Sequence, residues 1–320
     1  MDLPPYLITP KIIQLIAAIS EKIGRVNAHF LDKPSPQLRK TNRIRTIHSS
    51  LAIEGNTLTE EQITAIMEEK RVIGPEKDVK EVLNAIKVYD HLHSFNPLDE
   101  RSFLHAHELL MNGLIDDKGS YRKKGVGIMA GDKIAHLAPP ASNVPYLMRN
   151  LFQYLQSSAE IALIKSCVFH YEMEFIHPFT DGNGRMGRLW QTAILLKEYP
   201  IFEFIPLENG IHSTQHEYYH ALSMSDKAGN STPFIEYMLG ILDISLTGIL
   251  NERTKMDTAK DRLDYFLETQ SSPFSRREYM AVFKHISTAT ASRDLKQGID
   301  LGMLSKVGDK NKTIYIKTVG

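Results

Sequence analysis

What the chain lacks narrows the field first. One cysteine, Cys167, occurs in 320 residues. No internal disulfide can therefore close a loop, and such usage suits a reducing compartment. Neither charge is in excess, with 38 Lys and Arg against 38 Asp and Glu, which removes any global attraction to nucleic acid or an anionic membrane. There is no internal repeat and no low-complexity tract. The start, Met1-Asp2-Leu3-Pro4-Pro5, has neither the basic residues nor the long apolar stretch of a secretory signal, so the expected location is the cytoplasm. The most apolar late segment, 234–250, is interrupted by Glu236 and Asp243, and no membrane partner is expected. No GxxxxGK[ST] loop occurs, and Gly182-Asn183-Gly184 lacks the third glycine and preceding parallel strand of a dinucleotide fold.

What is present is mostly helical periodicity. Apolar residues recur at helical spacing over 11–23, 37–54, 60–69, 77–92, 100–113 and 141–157. Thr59 with Gln62 predicts a capping box for the third of these. With 42% hydrophobic residues, a buried core is within reach. The expected fold is mainly α: an N-terminal helical region over 1–95, a helical core over 96–250 and a distinct tail over 258–320. In the tail, helices over 261–269, 275–284 and 288–301 precede strands over 304–307 and 312–317, an order that describes a winged helix. This tail holds 11 Lys or Arg against 7 Asp or Glu, a net charge of +4, with Arg293 and Lys296 on its third helix. DNA contact, protein interaction and homodimer packing all suit such a module.

The chemistry concentrates in His177-Pro178-Phe179-Thr180-Asp181-Gly182-Asn183-Gly184-Arg185, continued through Met186 and Gly187 to Arg188. An apolar run over 161–175 precedes it and a helix-compatible run over 186–198 follows, so the polar cluster sits in a loop entering a helix. A helix beginning near Asn183 presents unpaired N–H groups and partial positive charge, and the glycines let an anion approach the backbone. Arg185 and Arg188, spaced i and i+3, add two cations where the dipole already disfavours them. A polyanion resolves that conflict. A triphosphate would accept the loop amides, both guanidinium forks and, through a divalent ion, the Asp181 carboxylate. His177 can take a proton from an incoming hydroxyl near neutral pH. His170, Glu174 and His177 do not have HExxH spacing, and a zinc site is not expected.

These twelve residues resemble the HxFx(D/E)GNGRxxR signature of Fic-domain proteins, helical proteins that mostly transfer AMP from ATP to a protein hydroxyl. The resemblance implies that His177 is the general base and that Asp181 holds Mg2+ on the phosphates of ATP. Gly182, Asn183 and Gly184 would line the anion hole, Arg185 would contact the phosphates near the scissile bond, and Arg188 would hold the terminal phosphate. Phe179 is expected to pack inward. Relatives that phosphorylate carry a lysine at the position of Gly184, so the glycine favours AMP transfer.

Upstream, Ile44, Ile47 and Leu51 recur at helical spacing, and Gly55-Asn56 is a helix stop that places Glu54 at a helix C-terminus. A carboxylate there is as badly placed for its own dipole as Arg188 is for its dipole, which suggests a partnership. Ser50 to Gly55 is similar to the inhibitory helix (S/T)xxxE(G/N) of Fic proteins, in which the glutamate salt-bridges the second motif arginine. In some members that glutamate also positions a water that removes AMP, which makes a de-AMPylating hydrolase one alternative. A DNA-binding regulator with a nucleotide-sensing Fic-like core is another. The segment 125–137 reads as a hairpin around Gly131-Asp132. It resembles the family's flap, which implies that Ile128, Met129 and His136 contact a target protein, or the chain itself in self-modification. Tyr218 and Tyr219 would border the base and ribose, although Asp226 stands where relatives often carry an asparagine for adenine.

Overall fold

The computed structural model describes residues 4–29, 36–125, 127–130, 133–254, 258–270, 272–283, 286–308 and 313–318. The chain divides into two compact units, Met1–Pro34 with Leu38–Leu246, and Ser35–Gln37 with Thr247–Gly320. Its helices are α1 Pro10–His29, α2 Pro36–Ile53, α3 Glu60–Met67, α4 Glu76–Asp90, α5 Glu100–Leu110, α6 Val144–Ser157, α7 Ala162–Ile176, α8 Asn183–Glu198, α9 Leu207–Ser213, α10 Gln215–Ala228 and α11 Thr232–Thr254, followed by α12 Ala259–Thr269, α13 Arg276–Val282 and α14 Thr288–Asp300. Two short hairpins interrupt them, β1 Gly127–Ala130 with β2 Lys133–Leu137, and β3 Leu304–Val307 with β4 Ile314–Lys317. The fold is mainly α, as the periodicity predicts.

The first unit is built around α7 and α8. Helix α7 is buried on nearly every side, from Leu163 to Ile176. It meets α8 at Gly187, where a Cβ would come within 2.6 Å of His170 and 2.8 Å of Glu174. Only a glycine permits that approach. Beside the pair, Phe103 packs edge-on against Trp190 at 5.0 Å and against Phe152 at 5.6 Å. The Trp190 indole N–H donates to the Pro97 carbonyl at 3.0 Å, which satisfies its one polar atom. Asn84 of α4 donates to the carbonyls of Leu110 and Asn112 at the end of α5, so two helices share one cap.

Helix α11 is long and apolar enough by composition to cross a membrane. Phe234, Ile235, Met238, Leu239, Leu242 and Leu246 are fully buried, however, and its acids face α1: Glu236 meets Lys11 at 3.2 Å and Asp243 meets Lys22 at 2.6 Å. It packs as a core helix. The capping box of Thr59 and Gln62 opens α3, which stops at Met67 because Glu69 adopts φ 57°. Strands β1 and β2 pair antiparallel with Ile128 opposite His136, and the register shifts between Ile128 and Met129. The side chains of Ile128, Met129 and His136 lie outside the described residues.

The second unit has its own core of Leu263, Phe266, Phe274, Tyr279, Leu295 and Leu304. Phe274 and Tyr315 exchange backbone hydrogen bonds at 2.9 and 2.7 Å, which ties the hairpin to the turn before α13. Arg262 on α12 donates twice to the buried Asp294 on α14, at 2.7 and 3.0 Å, and the Tyr279 hydroxyl donates to the same carboxylate at 3.1 Å.

Candidate active site

The site begins where α7 ends. His177 takes a left-handed conformation, φ 49° and ψ 62°, that breaks the helix and turns the chain toward α8. Its carbonyl is held by the buried Arg122, whose Nε donates to it at 2.7 Å; the same guanidinium donates to the carbonyls of Lys124 and Pro139. One arginine thus bonds the histidine turn to both ends of the segment that carries the first hairpin.

The turn between His177 and α8 is closed by side chains that mimic backbone. Asn183 accepts from the Phe179 N–H and donates to the Phe179 carbonyl, both at 2.9 Å. Phe179 is fully buried and stacks on His107 with ring centroids 3.6 Å apart. The Gly119 N–H donates to His107 Nδ1 at 2.9 Å, so Nδ1 is the acceptor and Nε2 the donor, aimed at the Asp181 carbonyl at 3.0 Å. Burial lowers the pKa of His107 to about 4, and the ring is neutral at physiological pH.

Helix α8 starts at Gly182, whose φ of 84° only glycine adopts without strain. A Cβ there would also sit 2.8 Å from Met111 Sδ. The amides of Asn183, Gly184 and Arg185 precede the first helical bond, Met186 N–H to Gly182 O at 3.0 Å. Asp181 accepts from the Gly182 N–H at 2.6 Å and from Arg185 at 3.0 Å, with 44% of its side chain exposed.

Both arginines are buried, and both are gripped by carboxylates. Arg185 donates to Glu81 of α4 at 3.0 Å as well as to Asp181. Arg188 donates to Glu54 at 2.8 Å, to the Ser50 carbonyl at 2.9 Å and to the Ser50 hydroxyl at 3.2 Å. Glu54 lies just beyond the end of α2, before Gly55 with φ 88°. A Cβ on Gly184 would collide with the Glu54 carboxylate, so the bare glycine is what admits the acid to the start of α8. The two misplaced charges do meet.

The two tyrosines part ways. Tyr218 is buried, and its hydroxyl lies 3.0 Å from Nε2 of His170, whose Nδ1 lies 2.6 Å from the Gln191 side-chain oxygen. That oxygen only accepts, so Nδ1 carries the proton and Nε2 accepts from the tyrosine. Burial lowers the His170 pKa to about 3 and fixes the neutral ring. Tyr219 is 49% exposed, its ring centroid 5.3 Å from that of Tyr218. Asp226 accepts from the Tyr171 hydroxyl at 3.0 Å.

Three residues of this assembly carried no signal in the sequence: Arg122, His107 and Glu81. Each stands alone in an ordinary stretch, and only the packing brings it to the loop.

A helical core that brings a histidine turn, an amide-lined helix start and two buried arginines together has the groups of an anion-binding site. Residues 97–195 match the Fic/DOC family. The chain is 39% identical to a Fic family protein from Desulfovibrio desulfuricans of known structure, with a TM-score of 0.77 over 99% of this chain and 98% of that one. It belongs to the Fic family. The solved Fic-1 fragment of Caenorhabditis elegans shares the fold at 20% identity, with a TM-score of 0.61 over 77% of this chain and 73% of that one. A Nematostella vectensis protein named protein adenylyltransferase Fic is 28% identical over 77% of this chain and 58% of its own length. The Caenorhabditis elegans protein adenylyltransferase fic-1 is 25% identical over 82% of this chain and 54% of its own. The chain spans about half the length of the curated relatives it matches.

Proposed function

We propose that the chain is a protein adenylyltransferase that moves AMP from ATP to a Ser, Thr or Tyr hydroxyl of a target protein or of itself, restrained by Glu54 on Arg188. The observation that carries this reading is the convergence of His177, the first amides of α8, Arg185 and Arg188 on one helix start, with relatives named for that activity. In the reaction, His177 accepts the proton of the attacking hydroxyl while that oxygen bonds to the α-phosphorus. The bond from the α-phosphorus to the bridging oxygen breaks, and pyrophosphate leaves with its electron pair. The α8 amides and Arg185 stabilise the charge on the phosphate oxygens, and Arg188 orients the terminal phosphate so that the leaving oxygen lies in line.

Asp181 is suited to Mg2+: a half-exposed hard carboxylate beside the phosphate cradle is the type of group the ion takes when phosphates and water supply its other ligands. Bound there, the ion would neutralise charge on the nucleotide's phosphates. Glu54 occupies the place Arg188 needs for a terminal phosphate, and withdrawing it frees the guanidinium. The first hairpin is the surface on which a target segment adds a strand, with Ile128, Met129 and His136 as its contacts. The second unit is read as a winged helix that selects the target.

The test is incubation with ATP labelled at the α-phosphate, followed by mass spectrometry. Wild type should add little AMP and Glu54→Gly considerably more. Transfer of a γ-label instead would make the protein a kinase. The position of Glu54 inside the cradle also favours AMP removal: wild type stripping a pre-modified target faster than Glu54→Gly would establish that direction.

A further inference from the structure

Arg185 is held by more than the loop that carries it. One of its nitrogens donates to Asp181, on the same loop, and another donates to Glu81, on α4. Glu81 is 5% exposed, an expensive place for a carboxylate unless it is paired. Its other oxygen accepts from the Asn56 amide at 2.9 Å. Asn56 is itself buried, donates a second time to the Asp78 carbonyl at 3.1 Å and accepts from the Leu58 N–H at 3.1 Å. Its backbone N–H closes the end of α2 on the Leu51 carbonyl at 3.1 Å. Asn56 stands two residues after Glu54. The turn that ends α2 therefore touches both motif arginines: Arg188 directly through Glu54, and Arg185 at one remove through Asn56 and Glu81.

We propose that Glu81 is a positioning residue for nucleotide binding, which fixes the Arg185 guanidinium against α4 and, through Asn56, couples it to the turn carrying Glu54. This rests on the nucleotide reading of the site. Asp181 cannot do the same work alone. It is half exposed and lies on the loop itself, and its carboxylate must turn outward if it is to hold an ion, whereas Glu81 is sealed on a helix outside the loop. With Glu81 in place, Arg185 keeps its orientation whichever way Asp181 faces. A displacement of the α2 turn that draws Glu54 off Arg188 also shifts the partner of Glu81, so the two arginines respond together.

Calorimetric titration of ATP with magnesium into Glu54→Gly protein provides the test. Glu81→Gln in that background keeps the shape, removes the charge and should weaken ATP binding about tenfold. In an Arg185→Ala background the same change should have no further effect, because it acts only through that arginine. Asn56→Ala should weaken binding about threefold, and not at all once Glu81 is Gln. If Glu81→Gln fails to fold, the Asn56→Ala arm decides alone: no loss of affinity, or a loss equal in the Arg185→Ala background, overturns the coupling. Equal affinities for Glu81→Gln and its parent, or losses that simply add to those of Arg185→Ala, also overturn it while the nucleotide reading stands. Absence of ATP binding in every variant would remove both.

Discussion

Two arginine–carboxylate pairs, one in each unit, show how the same chemistry can be set to different purposes. Arg262 and Asp294 are joined by two bonds, share Tyr279 and are both almost fully buried, with side-chain exposures of 8% and 2%. Arg188 is as deeply buried, but its partner Glu54 keeps 29% of its side chain exposed and grips through one oxygen. Withdrawing Asp294 would leave a charge stranded in a dry core. On the function proposed above, withdrawing Glu54 hands Arg188 to an anion that enters from solvent, and the acid already has a path to water. On that reading the first pair fixes a fold and the second is exchanged.

The sharpest way to test that contrast is to remove each side of it. His177→Ala should lower AMP transfer by about 10²–10⁴-fold, the usual worth of a general base, with the melting temperature unchanged. Asp294→Ala should cost about 3–5 kcal/mol in denaturant unfolding of the second unit, the penalty for stranding a buried charge. Glu54→Gly should instead raise transfer by about 5–150-fold, the range of a typical coupling energy, with little loss of stability. If Glu54→Gly unfolds the protein as Asp294→Ala does, the two pairs are of one kind. Gly187→Ala should destabilise by about 1–3 kcal/mol through overpacking against His170 and Glu174.

The smallest effect concerns pH. Burial holds the His107 pKa at about 4, down from 6.5, so its contribution to stability is complete above pH 6.5 and fades as pH falls toward 4. The stability gap between wild type and His107→Gln should narrow over that window in urea titrations. A gap that stayed constant would mean the ring is not held neutral.

The local elements were legible because their signals are local. The loop between His177 and Arg188 declares itself through residue types that no core needs, and Thr59 with Gln62 marks the start of α3 within four residues. Glu54 and Arg188 were legible as a pair because each sits at the wrong end of its own helix. Glu81 was not: a carboxylate on an amphipathic helix reads as solvated, and only the packing of α4 turns it inward. His107 is likewise one histidine among apolar neighbours on α5 until Phe179 stacks on it. Tyr218 and Tyr219 are adjacent and chemically alike, so which one faces the core depends on where Phe234 and His170 lie.

The solitary thiol has a practical consequence. Cys167 is sealed in α7, with its pKa pushed up to about 12 by burial. Toward maleimides the folded protein therefore behaves as if it had no cysteine. A cysteine introduced at the exposed Glu61, on the helix that follows the α2 turn, would take a fluorophore alone. The movements of that turn could then be followed optically, with no other substitution in the chain.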